Sequence, residues 1–174
     1  MYLLVGLGNP GSEYASNRHN VGFHFVDFVL SQPGIAEKAK KLGNSCNGEA
    51  FRVGNTVFLK PDTFMNRSGH AVAKAMRYFK IRPDRVFVAL DDLDIPLGMS
   101  KVTFKGPKIH NGLSSIRDTI GDAFMKIRIG IENRPSEFRI PGESYVLQNF
   151  TAEERKALEP VFAKLWAQLS RAIL

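Results

Sequence analysis

The sequence predicts an α/β fold: one domain, residues 1–174, built as a twisted mixed β-sheet flanked by helices on both faces. Three observations carry that expectation. Runs of alternating apolar residues and runs of helical periodicity take turns from one end of the chain to the other. The helical runs are apolar along one side only, so each needs a sheet to cover. A chain of 174 residues suits a single hydrophobic core, and no repeat or low-complexity tract points to a second.

In order, Tyr2–Val5 reads as a strand and Asn20–Leu30 as a helix with Val21, Phe25, Phe28 and Val29 on one side and Asn20 as its cap. Residues 31–48, rich in Gly, Pro, Asn and Lys, read as a surface connection with a short helix. Ala50–Val53 and Thr56–Lys60 form a hairpin about Gly54-Asn55. A helix over Ser68–Phe79 turns Val72, Ala75, Met76 and Phe79 inward, and Arg85–Leu90 is a strand ending in Asp91-Asp92-Leu93-Asp94. Ser100–Phe104 is a strand, Lys105–His110 a basic loop, Gly112–Ile120 a helix and Lys126–Ile131 a strand. Thr151 and Glu154 make a capping box, opening a helix to Ile173 that Pro160 is expected to kink or break.

Composition narrows the function. No apolar run reaches the ~18 to 20 residues that span a bilayer, and the N-terminal apolar stretch lacks the basic lead of a signal peptide. The expected location is cytoplasmic, or an organellar matrix or stroma after removal of a transit peptide. The single cysteine, Cys46, excludes an internal disulfide and a cysteine-rich metal site, and reads as a thiol without a role in a polar turn. A net charge of +7 favours a polyanionic partner. Lys101, Lys105 and Lys108 cluster, with Arg117, Lys126 and Arg128 close behind.

Gly6, Gly8 and Gly11 spell the glycine pattern of a dinucleotide fold. That reading fails on three counts. The helix starts nine residues late, Asp27 lies inside a helical pattern rather than at a strand end, and Pro10 offers no N–H to a phosphate. The glycines instead shape a turn that presents Asn9 and clear room for a substrate.

Chemistry-bearing residues gather at strand ends and helix starts: Asn9 on a Gly-Asn-Pro-Gly turn, His19 before a helix, Asp91 at a strand end, and Asn66, His110 and Asn111 ahead of helices. Asp91, Asp92 and Asp94 read either as a solvated turn or as a divalent-metal site. No nucleophile elbow and no zinc-protease helix motif is present. What remains is direct attack by water, with a histidine base, a carboxylate orienting it and amides stabilising the oxyanion. An activated ester suits that equipment better than an amide, because an alkoxide leaves more readily than an amine.

Four blocks in order, VGLGNPGSEYASNRHNVGF (5–23), KPDTFMNRSGHAV (60–72), VALDDLDIPLG (88–98) and HNGLSSI (110–116), resemble the bacterial-type peptidyl-tRNA hydrolase family, which also occurs in mitochondria and chloroplasts. KIRIGI (126–131) and SYVLQNF (144–150) extend the likeness over nearly the whole chain. The resemblance implies a phosphorylase/hydrolase-like fold, a monomer and no metal or cofactor. It implies hydrolysis of the ester between a peptide and the 3′ ribose of tRNA, freeing tRNA for translation. His19 then activates water and Asp91 orients it, Asn9 and Asn66 hold the peptide and ester groups, and Asn111 positions the water or carbonyl. Tyr14 and Phe64 wall the cleft for the tRNA 3′ end, with His110 in contact with substrate. Lys101 and Arg128 clamp the 5′ phosphate, and Lys105 and Lys108 extend that patch. The family's glycine-rich loop before its His-Asn-Gly block is here Lys105-Gly-Pro-Lys-Ile-His110, which predicts a stiffer gate. A chloroplast-type relative that binds RNA without hydrolysing it is the alternative.

Overall fold

The structure, a computed structural model, describes residues 1–43 and 46–174; Asn44 and Ser45, within the expected 31–48 connection, lie outside it. Seven strands form one mixed sheet in the order β2-β3-β4-β1-β5-β7-β6. Strand β1 (Tyr2–Gly6) lies between β4 (Thr56–Pro61) and β5 (Val86–Pro96), parallel to both. Its near-continuous apolar run is that of a strand covered on both faces. β7 (Met125–Glu132) continues the parallel set beside β5, and β6 (Ser100–Thr103) closes that edge antiparallel. The other edge is the antiparallel pair β2 (Lys40–Leu42) and β3 (Gly48–Val53), with β3 joined to β4 through Gly54 at φ 56°.

Strand alternation divides the apolar residues between two cores. On one face Leu4, Phe58, Ala89, Ile127 and Ile129 pack beneath α1 (Val21–Leu30) and α5 (Ala152–Ile173), where Phe25 and Phe28 meet Phe162. On the other, Leu3, Val5, Leu59, Val88 and Leu90 pack beneath α2 (Ser68–Phe79) and α3 (Asn111–Ile120), which supply Ala71, Val72, Ala75, Leu113 and Ile116. Cys46, in the polar turn ahead of β3, is itself fully buried in this second core.

Two further expectations change. The capping box of Thr151 and Glu154 is present, yet α5 runs unbroken through Pro160. Pro160 and Lys156 are both exposed, so the carbonyl that loses its helical partner reaches water. β5 does not end at Leu90 but carries Asp91 and Asp92 inside the strand, both buried.

Candidate active site

The site sits just past the carboxyl end of β1, beside Asp91 in the middle of β5. Where β1 ends, Gly6 and Gly22 let α1 cross the sheet at backbone contact: a Cβ on Gly6 meets Gly22 O at 2.2 Å, and one on Gly22 meets Leu7 N and Ala89 O at 2.4 Å. A Cβ on Gly8 runs into the Phe23 ring at 2.8 Å. The space these glycines clear is therefore filled by α1, not by substrate. Only Gly11, at φ 110°, serves the turn itself.

The start of α1 is thereby pressed against β5, and the single 3₁₀ turn Arg18–Asn20 ahead of it holds His19 over Asp91. His19 Nδ1 lies 2.8 Å from Asp91 Oδ1. Asn20 stands at the N-cap of α1, but its side chain makes no capping bond. Its Oδ1 accepts from Asn9 N–H and its Nδ2 donates to Asn9 C=O, both at 2.9 Å. Asn9 Oδ1 in turn accepts from Met65 N–H at 2.8 Å, which leaves the Asn9 amide NH₂ as a donor.

His110 shares the carboxylate. Its Nε2 is 2.9 Å from the same Asp91 Oδ1, while its Nδ1 accepts the Leu113 N–H as the cap of α3. That second bond assigns the proton to Nε2, so His110 donates to Asp91. His19 then donates from Nδ1, and the lone pair of His19 rests on Nε2. Among the described residues no protein group bonds that nitrogen.

Strand alternation sends Asp92 to the opposite face from Asp91, where it accepts from Arg128 Nε and from Asp94 N–H. The three aspartates do not converge, so neither the solvated-turn nor the triple-carboxylate metal reading holds. The one group of ligand atoms close enough to hold an ion is His19, Asp91 and His110, mutually within 4.8 Å among the described residues. In that group the carboxylate oxygen is already hydrogen-bonded by both rings.

These residues open on a cleft of about 790 Å³, which Asn9, His19, Phe64, Asn66, Asp91, Lys108, His110 and Asn111 all line. Asn66 and Asn111 are exposed within it, and Phe64 is 56% exposed. Tyr14 stands behind Phe64, edge-on at 6.2 Å between ring centres. Lys101, Lys105 and Arg128 lie outside the cleft. Lys101 pairs with Arg128 across β6 and β7, and Arg128 also reaches the Lys105 carbonyl.

The model of one family, described as peptidyl-tRNA hydrolase, matches residues 3–174. This chain belongs to the peptidyl-tRNA hydrolase family. The Rhodospirillum centenum peptidyl-tRNA hydrolase is 44% identical over 170 residues, covering 97% of this chain and 74% of that one. The Sulfurovum enzyme of the same name is 42% identical over 162 residues, covering 91% and 82%. The crystal structure of peptidyl-tRNA hydrolase from Acinetobacter baumannii superposes with a TM-score of 0.81 at 34% identity, over 99% of this chain and 92% of that one.

Within this peptidyl-tRNA hydrolase fold the electrostatics favour ionised Asp91. Burial alone would raise its pKa, but the positive charge that His19 and His110 bring when protonated, with their hydrogen bonds, holds it well below the usual carboxylate range. Burial alone would lower His19, and the Asp91 charge and hydrogen bond outweigh it, so its pKa is raised above 6.5.

Sequence reasoning missed the far wall of the cleft: Leu93, Pro141, Gly142, Val146 and Leu147. The last four flank or belong to the short helix α4 (Gly142–Val146), whose Tyr145 carbonyl and ring receive the Arg18 guanidinium. Arg18 also pairs with buried Glu154 at 2.8 Å, tying the residue beside His19 to both α4 and α5. The capping box marked Glu154, but nothing in its spacing marked Arg18 as its partner.

Proposed function

We propose that His19 is the general base in hydrolysis of peptidyl-tRNA, the reaction of this family. The observation that carries the reading is the His19–Asp91 pair, with its free Nε2 on a cleft bordered by three asparagine side chains. Nε2 takes a proton from water as the water oxygen attacks the ester carbonyl. Asp91 holds the ring in the required tautomer and stabilises the imidazolium. The Asn9 NH₂, with Asn111, donates to the oxyanion, and Asn66 holds the peptide end. Collapse of the tetrahedral intermediate expels the 3′ ribose oxygen, which takes the proton back from His19.

The 3′ end passes Phe64, which Tyr14 backs, while Lys101 and Arg128 hold the 5′ phosphate and Lys105 and Lys108 extend their charge. His110 contributes through Asp91 and the wall of the cleft. We read residues 1–174 as one domain acting as a monomer, without metal or cofactor, in the cytoplasm or an organellar counterpart.

The test is release of tRNA from an N-blocked aminoacyl-tRNA in EDTA buffer. The parent is expected to release it, and His19→Ala to be slower by about 10²- to 10⁴-fold. Comparable turnover in the variant removes His19 from the mechanism. Strong inhibition by EDTA returns a metal to it. Binding without release by the parent leaves an RNA-binding protein.

A further inference from the structure

Helix α2 carries charge that the cleft does not use. Arg67, His70, Lys74 and Arg77 recur at spacings of three and four residues and so lie along one side of it, and Lys80 extends the line past its end. Lys74 is half-buried and donates to Asn47 Oδ1, and the others are exposed. From Thr63 to Pro83 the chain holds no Asp or Glu. Among the described residues none of Arg67, Lys74, Arg77 or Lys80 forms an ion pair, whereas Lys41, Lys60, Arg82 and Arg134 all do.

The line begins at the cleft. Asn66 borders the cleft, and Phe64 borders both it and a neighbouring cavity of about 430 Å³ that Asp62, Thr63 and Arg67 also line. From Arg67 the helix rises about 1.5 Å per residue, carrying the charge some 15 Å to Arg77. Lys101 and Arg128 lie on this same face of the sheet, because Arg128 is in register with Leu90 of the second core. Helix α3, with exposed Arg117, packs against α2 on that face.

We propose that this side of α2 is a docking surface for the double-stranded part of the tRNA, gripping its phosphate backbone while the 3′ end occupies the cleft. The proposal rests on the cleft reading above. A strand leaving the cleft past Phe64 meets Arg67 first, and the duplex it joins presents a row of phosphates to the cations from Arg67 to Lys80, a stretch of chain without a carboxylate, Asp62 lying at its cavity end. The contact positions the substrate without reading its sequence.

The test compares the parent with the double variant Lys74→Gln, Arg77→Gln, neither of which lines the cleft, after thermal melting shows both proteins folded. Binding of deacylated tRNA is measured over a salt series. Loss of two phosphate contacts makes the slope of log Kd against log salt shallower by about 1.4 to 1.8. The ratio of kcat/KM for full-length peptidyl-tRNA to that for an N-blocked aminoacyl ester of a CCA trinucleotide falls with it. An unchanged slope overturns the proposal, as does intact tRNA binding with weakened binding to anionic phospholipid vesicles. Arg77→Gln alone, at an exposed position, is a second variant in which the slope is expected to be shallower by about 0.7 to 0.9. Binding of deacylated tRNA needs no catalysis, so a parent that releases nothing from any ester defeats the cleft reading and leaves this result standing.

Discussion

Asn20 clasps the backbone of Asn9 from both sides, accepting from its N–H and donating to its C=O at 2.9 Å each. An asparagine placed to cap a helix instead fixes the turn at the end of β1. Removing it in Asn20→Ala leaves both backbone groups buried and unpaired, a loss of about 1–3 kcal/mol in stability by denaturant titration. The Asn9 amide then loses its aim into the cleft, so kcat is expected to fall more than KM rises. A variant with the parent's melting curve and kcat would make the clasp incidental.

The pH profile follows from His19. Only its neutral form accepts a proton, and Asp91 raises its pKa above 6.5. The rate kcat/KM is therefore expected to climb with pH through that raised pKa and level off above it. Asp91→Asn removes the charge that raises it, so the limb moves to lower pH while the plateau drops by up to about 10⁴-fold, as tautomer control is lost. A flat profile between about pH 5.5 and 8 would mean that no histidine titrates in the step.

Gly22→Ala tests the close crossing of α1. The new methyl meets backbone atoms of Leu7 and Ala89 at 2.4 Å, and neither strand can yield easily. Overpacking of this kind costs about 1–3 kcal/mol. It also lifts the start of α1 from β5, lengthening the 2.8 Å contact between His19 and Asp91. Melting temperature and turnover are expected to fall together.

Lys101 and Arg128 are expected to part company. Lys101 is exposed, so Lys101→Ala weakens tRNA binding and flattens its salt dependence while stability stays within about 0.5 kcal/mol. Arg128 faces Asp92, whose side chain is 0% exposed. Arg128→Ala strands that carboxylate and lowers stability by about 3–5 kcal/mol in addition. Equal melting curves for the two variants would contradict the buried pair.

The frame was legible because its elements are strongly patterned: the apolar run of β1, the amphipathic faces of α2 and α3, and the Thr151–Glu154 box. The short strand Lys40–Leu42 was not, because Lys40 and Lys41 are exposed at the sheet edge and show no apolar alternation. The aspartates read as a turn because charge usually ends a strand; here two histidines hydrogen-bond Asp91 and Arg128 pairs with Asp92 inside it. His19, Asp91, Asn9, Asn66 and Asn111 do meet in one cleft. The wall at Pro141–Leu147 stayed hidden, since apolar residues in a short helix carry no mark of what they face.

The pairing of Arg18 with Glu154 spans 136 residues of chain. The turn that bears His19 therefore takes this partner only when α5 has been synthesised and docked. Until its own release, a chain being translated is itself a peptidyl-tRNA, joined by the very ester this fold cleaves. A long-range ion pair thus sets the order of events: the nascent protein cannot complete this turn until the residues of α5 have been made.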